Sequence, residues 1–405
     1  MPSSLEDVIV GTDSVREIRS VGIVGAGTMG SGIALAMLES DLSVVVIETE
    51  QSQLDRGRSL IERGIDRTAK RSGLVQQQVE DLQARVTYSL DFAALGAVDL
   101  AIEAVFEDMA IKREVFGRLD KVTKPGAILA SNTSFLDIDV IATATGRSAD
   151  VIGLHFFSPA NIMRLLEVVR GAKTAPEVVA TAFAFAHRIG KVPVLSGVCD
   201  GFIANRMMLP RALQAETLAL QGTPVADIDG VLRDHGFPMG HFQMLDMAGL
   251  DVVTRGRTER SLMGDLVALG RLGQKSGGGF YDYDADRKPI PSAIVNEAIA
   301  VFAAHCGIAA SPARDAAEIL DRLLLPVVNE AARILDEGIA QSPADIDVAA
   351  TLGYGWPVAH GGPIQWAQAR GLDQVVDRLR TLHARCGSDF APSPGLVAAA
   401  RRGSF

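Results

Sequence analysis

Over the first two hundred positions the apolar residues come in short, β-branched blocks. SVGIVG (20–25) and LSVVVIE (42–48) have the length and composition of buried strands, and AGTMGSGIALAMLES between them carries helical periodicity. The three segments predict a βαβ unit. Further runs at VDLAIEAV (98–105), GAILASN (126–132), DVIGLHFF (150–157) and LLEVV (165–169), most of them separated by helical stretches, extend it to a largely parallel α/β sheet. Beyond about residue 200 the texture becomes helical, and a repeat emerges. NRMMLPRALQAETLALQGTPVADID (205–229) parallels DRLLLPVVNEAARILDEGIAQSPADID (321–347). Each copy continues through a Gly-aromatic-Pro element, GFPMG from Gly236 and YGWPV from Tyr354, to AGLD (248–251) or ARGLD (369–373). The expected architecture is an α/β N-terminal domain followed by two repeated all-α domains. The expected limits are a tail at 1–17, the α/β domain at 18–198, the first helical copy at 199–296 and the second at 310–405. The join between copies falls near the polar DADRKPIPSA.

Composition narrows the function. The 405 residues carry a formal net charge of −10, a poor match to nucleic acid. Three scattered cysteines, Cys199, Cys306 and Cys386, form no metal-binding spacing, and no metal is expected. No apolar stretch reaches membrane-spanning length, and the N-terminus lacks a secretory pattern, so a cytoplasmic protein with no membrane partner is expected.

The turn after the first strand reads GAGTMG, which sets Gly25, Gly27 and Gly30 in dinucleotide-binding spacing. The first glycine permits a tight turn, the second admits a pyrophosphate to the backbone and the third lets helix and strand pack closely. The helix N-terminus attracts the phosphate charge. With Ala26, Thr28 and Met29 these residues form the expected phosphate loop of a Rossmann-type domain. Glu48 closes the second strand, where an acid holds ribose hydroxyls and repels a 2′-phosphate, which favours NAD over NADP.

His155 and Glu167 stand twelve positions apart in apolar runs. That spacing excludes a pair on one helical face, whereas two neighbouring strands joined by the SPANIM loop would bring them face to face. Oxidising an alcohol with a nicotinamide cofactor releases a hydroxyl proton. An imidazole with a pKa near 6.5 can take it, and a carboxylate can orient the ring.

With these motifs the chain resembles the L-3-hydroxyacyl-CoA dehydrogenase family over roughly residues 20–285. The matching segments are VGIVGAGTMGSGIA (21–34), IEAVFEDMAIKREVF (102–116), ASNTS (130–134), GLHFFSPANIMRLLEVV (153–169), DGFIANR (200–206), GFPMGHFQMLDMAGLD (236–251) and GQKSGGGFYDY (273–283). The duplicated helical region further resembles the dehydrogenase half of bacterial multifunctional β-oxidation proteins. The resemblance implies NAD-dependent oxidation of acyl-CoA substrates, short-chain ones first. It makes His155 the base and Glu167 its partner. Ser134 would contact substrate oxygen and cofactor, and Asn205 would position substrate and His155. Glu107, Lys112, Asn132 and Lys275 would contact the cofactor, and Lys70 and Arg71 the coenzyme A phosphates. It also implies that the second helical copy, with Asp321 where the first has Asn205, is structural. That copy would take the place of the dimer partner of single-copy relatives, leaving a monomer or a differently built homodimer. Two departures stand out, HFFSP for the family's HFFNP at Ser158 and PMGHF for PMGPF at His241. A β-hydroxyacid dehydrogenase is an alternative, but DGFIANR has no lysine four residues before Asn205. A non-catalytic binder of NAD or acyl-CoA is another.

Overall fold

The computed structural model describes residues 15–254, 258–313 and 315–405, so most of the tail expected at 1–17 lies outside the described residues. The chain divides into two compact units, residues 1–206 with 334–354, and 207–333 with 355–405.

The first unit is built on strands β1 (Ser20–Val24), β2 (Ser43–Ile47), β3 (Val86–Ser89), β4 (Leu100–Glu103), β5 (Ile128–Ser131), β6 (Val151–Phe156), β7 (Leu165–Val169) and β8 (Val192–Ser196). They form one sheet in the order β3-β2-β1-β4-β5-β6-β7-β8. All neighbours are parallel except β6 and β7, so the chain's own alternation of apolar runs and helices is realised as a parallel sheet with a reversed flank. The chain leaves β1 for β2 on one side and reaches β4 on the other. That topological switch point opens a crevice at the strands' carboxyl ends, where open α/β sheets bind their ligands. Helices α1 (Thr28–Leu38), α2 (Gln51–Ser72), α3 (Gln76–Ala84), α4 (Met109–Val122), α5 (Ile138–Ala142) and α6 (Pro176–Arg188) connect the strands. Two apolar clusters fill this unit, one around Ile23, Ile33 and Phe183, the other around Phe116, Leu119 and Ile138.

The second unit holds most of α7 (Ala204–Leu220), then α8 (Val225–Asp234), α9 (His241–Ala248), α10 (Leu250–Val253), α11 (Leu262–Ala268), the hairpin β9 (Tyr281–Tyr283) with β10 (Pro289–Pro291), and α12 (Ala293–His305). Most of α13 (Ala316–Asp336) follows, with α15 (Pro363–Arg370), α16 (Leu372–Cys386) and α17 (Pro394–Arg402). The two Gly-aromatic-Pro elements meet inside this unit. A Cβ on Gly236 would lie 3.3 Å from Pro357, and one on Gly355 would lie 3.0 Å from Pro238. Phe237 and Trp356 pack edge to face at 5.4 Å between them. Asp321 is buried and clamped by Arg370 at 2.5 Å and Arg378 at 2.6 Å, which satisfies its charge within the unit.

The remaining helix, α14 (Pro343–Tyr354), comes from the second helical copy but belongs to the first unit. Its approach rests on small residues: the Gly197 amide donates to Ile339 O at 2.8 Å, and a Cβ on Gly353 would lie 3.0 Å from Leu165 of β7. Arg206 adds a two-pronged pair with Glu337, at 2.6 and 2.9 Å.

Candidate active site

β6 and β7 are the antiparallel pair, and their register sets His155 opposite Glu167. The imidazole Nδ1 meets Glu167 Oε2 at 2.6 Å, and both residues are buried. The other carboxylate oxygen accepts the amides of Ile203 at 3.1 Å and Ala204 at 2.8 Å, at the start of α7. A carboxylate so fixed accepts from Nδ1–H, which leaves Nε2 as the basic nitrogen. Phe157 covers the ring at 4.4 Å between centroids. Lys191 ties down the loop between the two strands by donating to Ala160 O at 2.6 Å and Met163 O at 2.7 Å.

A second carboxylate organises the neighbouring ASNTS turn. Glu107 accepts from Thr133 Oγ1 at 2.5 Å, from the Ser134 amide at 2.8 Å and from the Phe135 amide at 3.1 Å. Burial alone would push its pKa up, but the Lys112 ammonium and these donors more than offset that, and it is held below the usual carboxylate range. Lys112 is 1% exposed, with its Nζ 2.7 Å from Glu103 and 3.3 Å from Glu107. Its ammonium is thus committed to two carboxylates, and Glu107 is the partner that reaches the turn. Asn132 Oδ1 accepts the Phe156 amide at 2.9 Å, locking the turn to β6 beside His155. Asn205 donates from Nδ2 to Ser134 O at 3.4 Å. His155, Glu167, Asn132, Ser134, Glu107 and Asn205 are therefore held in one bonded constellation.

The glycine loop suits a dinucleotide. Gly25 has φ +101°, and a Cβ there would press on Ala104 O at 2.7 Å. A Cβ on Gly30 would meet Gly25 O at 1.8 Å, so helix and turn pack against each other's backbone. A Cβ on Gly27 would meet nothing within 4 Å, the open approach that a pyrophosphate needs. Gly27 caps α1 without a side-chain bond, and Thr28 and Met29 follow in the first turn, with Thr28 exposed. Glu48 stands at the carboxyl end of β2 and accepts the Ala26 amide at 2.7 Å, which leaves acceptor capacity for ribose hydroxyls.

Other expected residues are not part of this bonded set. Gly57 packs on Ala26 and Gly64 on Leu35, so α2 runs alongside α1 away from the glycine loop. Lys70 and Arg71 occupy its last turn, exposed, with Arg71 3.6 Å from Glu39 beyond the far end of α1. They are not brought to the constellation. Lys275 belongs to the second unit and pairs with Asp251 at 2.5 Å. Ser158 is exposed just after Phe157. His241 is a buried residue at the first position of α9. Burial, reinforced by the Arg211 charge, pushes its pKa down to about 3. Glu103 pairs with Lys112, Thr133 donates to Glu107 and the Tyr354 hydroxyl donates to Asn205 Oδ1, and none of the three was singled out from the sequence. Glu103 had the same signal as Glu167, a carboxylate inside an apolar run. Among the described residues no cluster of His, Cys, Asp or Glu is arranged to hold a metal, and no helix is long and apolar enough to cross a membrane.

Comparison with known proteins agrees along nearly the whole chain. The sequence model for the NAD-binding domain of 3-hydroxyacyl-CoA dehydrogenases matches residues 20–199, and that for the C-terminal domain matches 201–283 and 319–405. The second model is thus split over both helical copies. The chain is 40% identical over 415 aligned residues to a peroxisomal bifunctional enzyme of Danio rerio, covering 96% of this chain and 57% of that protein. It spans little more than half the length of the curated relatives it matches. Among solved structures, the 3-hydroxybutyryl-CoA dehydrogenase of Escherichia coli K12 superposes with a TM-score of 0.81 at 27% identity, covering 96% of this chain and 99% of that one. The (S)-3-hydroxybutyryl-CoA dehydrogenase of Ralstonia eutropha is 32% identical, with a TM-score of 0.59, covering 66% of this chain and all of that one.

Proposed function

The chain belongs to the 3-hydroxyacyl-CoA dehydrogenase family, whose cofactor is NAD, and from that premise we propose that it oxidises (S)-3-hydroxyacyl-CoA reversibly to 3-oxoacyl-CoA. Short-chain thioesters are the first substrates to test, within fatty-acid β-oxidation or short-chain acyl-CoA metabolism. The observation that carries this reading is the buried 2.6 Å contact between His155 and Glu167. His155 Nε2 takes the proton from the 3-hydroxyl, while Nδ1–H stays bonded to Glu167, which stabilises the imidazolium that forms. Asn205 and Ser134 contribute neutral hydrogen-bonding groups beside the developing carbonyl oxygen. Bound NAD supplies the hydride acceptor. Glu48, the glycine loop and the turn held by Glu107 are the residues that would bind it. Lys112 holds Glu107 through their ion pair, and Lys70 and Arg71 are assigned to contacts with coenzyme A.

The test follows NADH absorbance with acetoacetyl-CoA in the wild type and in His155→Ala. NADH consumption that disappears in the variant supports the reading, and a chain-length series then defines the acyl group. NADH binding with no turnover on any acyl-CoA would favour a non-catalytic binder. We also infer a monomer, or a homodimer built on a different surface, because the two Gly-aromatic-Pro elements already pack on each other within one chain. Light scattering that finds a dimer, dissociated by changes in 310–405, counts against it. A cytoplasmic location goes with this reading, and fractionation into peroxisomes would change the compartment without changing the chemistry.

A further inference from the structure

Tyr354 of the second helical copy reaches the constellation. Tyr354 ends α14, within the first unit. Its hydroxyl is hydrogen bonded to Asn205 Oδ1. Its ring stands edge-on to Phe157 at 6.3 Å and 83°, and Phe157 is the ring that covers His155. The backbone beneath allows this approach because Gly353 carries no side chain. A Cβ there would lie 3.0 Å from Leu165, 3.5 Å from Phe157 and 3.6 Å from Ala204.

An asparagine amide has two ends of nearly equal size and opposite hydrogen-bonding sense. Rotated by half a turn, it would offer an acceptor where a substrate oxygen needs a donor. Two partners decide the matter for Asn205. Ser134 O, a carbonyl, can only accept, so Nδ2 faces it. Oδ1 then faces Tyr354, whose hydroxyl donates to it. The main-chain bond at 3.4 Å is long and weak, so the tyrosine is the stronger of the two constraints.

We propose that Tyr354, supplied by the second helical copy, is a positioning residue: by donating to Asn205 Oδ1 it holds the amide so that N–H faces the oxygen of the reacting acyl group. This rests on the dehydrogenase reading and makes the second copy a contributor to the site as well as a scaffold. Tyr354 touches no reacting atom. Its hydroxyl acts on the site through Asn205.

The experiment uses the full chain and compares wild type, Tyr354→Phe, Asn205→Ala and the double variant. The phenylalanine keeps the ring against Phe157 and removes only the hydroxyl. NADH affinity, read by fluorescence titration, is expected to match wild type, as is the thermal midpoint. Turnover of acetoacetyl-CoA is expected to fall about tenfold in kcat, the scale of one misdirected hydrogen bond, with a smaller change in KM. In the Asn205→Ala background the same change should have no further effect. A purely structural tyrosine would give independent, multiplying losses in that cycle. Full kcat in Tyr354→Phe, or a loss that persists undiminished without Asn205, overturns the proposal. Wild-type protein that binds NADH but turns over no acyl-CoA removes the dehydrogenase reading, and this role with it.

Discussion

His241 gives the sharpest quantitative expectation. It is wholly buried at the N-terminal end of α9, where the helix dipole and the Arg211 charge both oppose a cation, and its pKa is pushed down to about 3. In the unfolded chain the same imidazole titrates near the ordinary value of about 6.5. Between those values the unfolded state binds a proton that the folded state refuses. His241 therefore imposes no penalty above about pH 6.5, and stability falls steadily as the pH drops from there toward 3. Between pH 7 and pH 5 the loss is about 2 kcal/mol, nearly all from the unfolded side of the balance. It is insensitive to the folded value as long as that stays below about 4. The perturbation is His241→Leu, which cannot titrate. Both tryptophans, Trp356 and Trp366, lie in the second unit with His241, so urea unfolding followed by their fluorescence reports on the relevant part. At a slope of about 2 kcal/mol per M, the wild-type midpoint should fall about 1 M further than the variant's on going from pH 7 to pH 5. The raised carboxylates Asp229 and Asp246 titrate in both proteins and cancel in the comparison. Equal shifts in the two proteins would refute the claim that His241 is held neutral by burial.

Three further outcomes follow from the first unit. Glu167→Gln should lower kcat by about 10² to 10⁴ with NADH affinity intact, because the amide cannot both accept from Nδ1–H and satisfy the Ile203 and Ala204 amides; an active variant would show that the carboxylate does not orient the ring. Gly27→Val should weaken NADH binding by about two orders of magnitude without lowering the melting point of the free protein, whereas Gly30→Ala should lower that melting point, since its Cβ would stand 1.8 Å from Gly25 O. Lys112→Met should destabilise by about 3–5 kcal/mol in urea unfolding by stranding Glu103, and adding Glu103→Gln should restore part of that. No recovery in the double variant would mean that the two residues are not a coupled pair.

The interior of the sheet was legible because its strands are buried on both faces. β1, β2 and β4–β7 each fall on an apolar run, and the reversed β6–β7 pair follows from the short loop between them. The two strands that gave no signal are the edges of the sheet. β3 is four residues long and only half-buried, and β8 contains Pro193, which interrupts the pattern and is tolerated at an edge because the amide there need not pair. At the site, residues within one run or one turn could be read together, as with His155, Glu167 and the ASNTS turn. The burial of Lys112 gave no signal, because a lysine on an amphipathic helix ordinarily faces water and nothing local reveals Glu103 beneath it. Tyr354 lies 149 positions from Asn205, and no periodicity spans that distance.

The reciprocal seating of Gly236 on Pro357 and Gly355 on Pro238 has a consequence for how this protein can change. Where such a contact joins two identical subunits, every substitution is made twice, and both halves must accept it. Here the halves are encoded separately, so each drifts alone: phenylalanine at 237 faces tryptophan at 356, and His235 corresponds in the repeat to Tyr354. Duplication within one chain releases the surface from symmetry. A residue such as Tyr354 can then be selected for one task without forcing its twin into a place where that side chain has none.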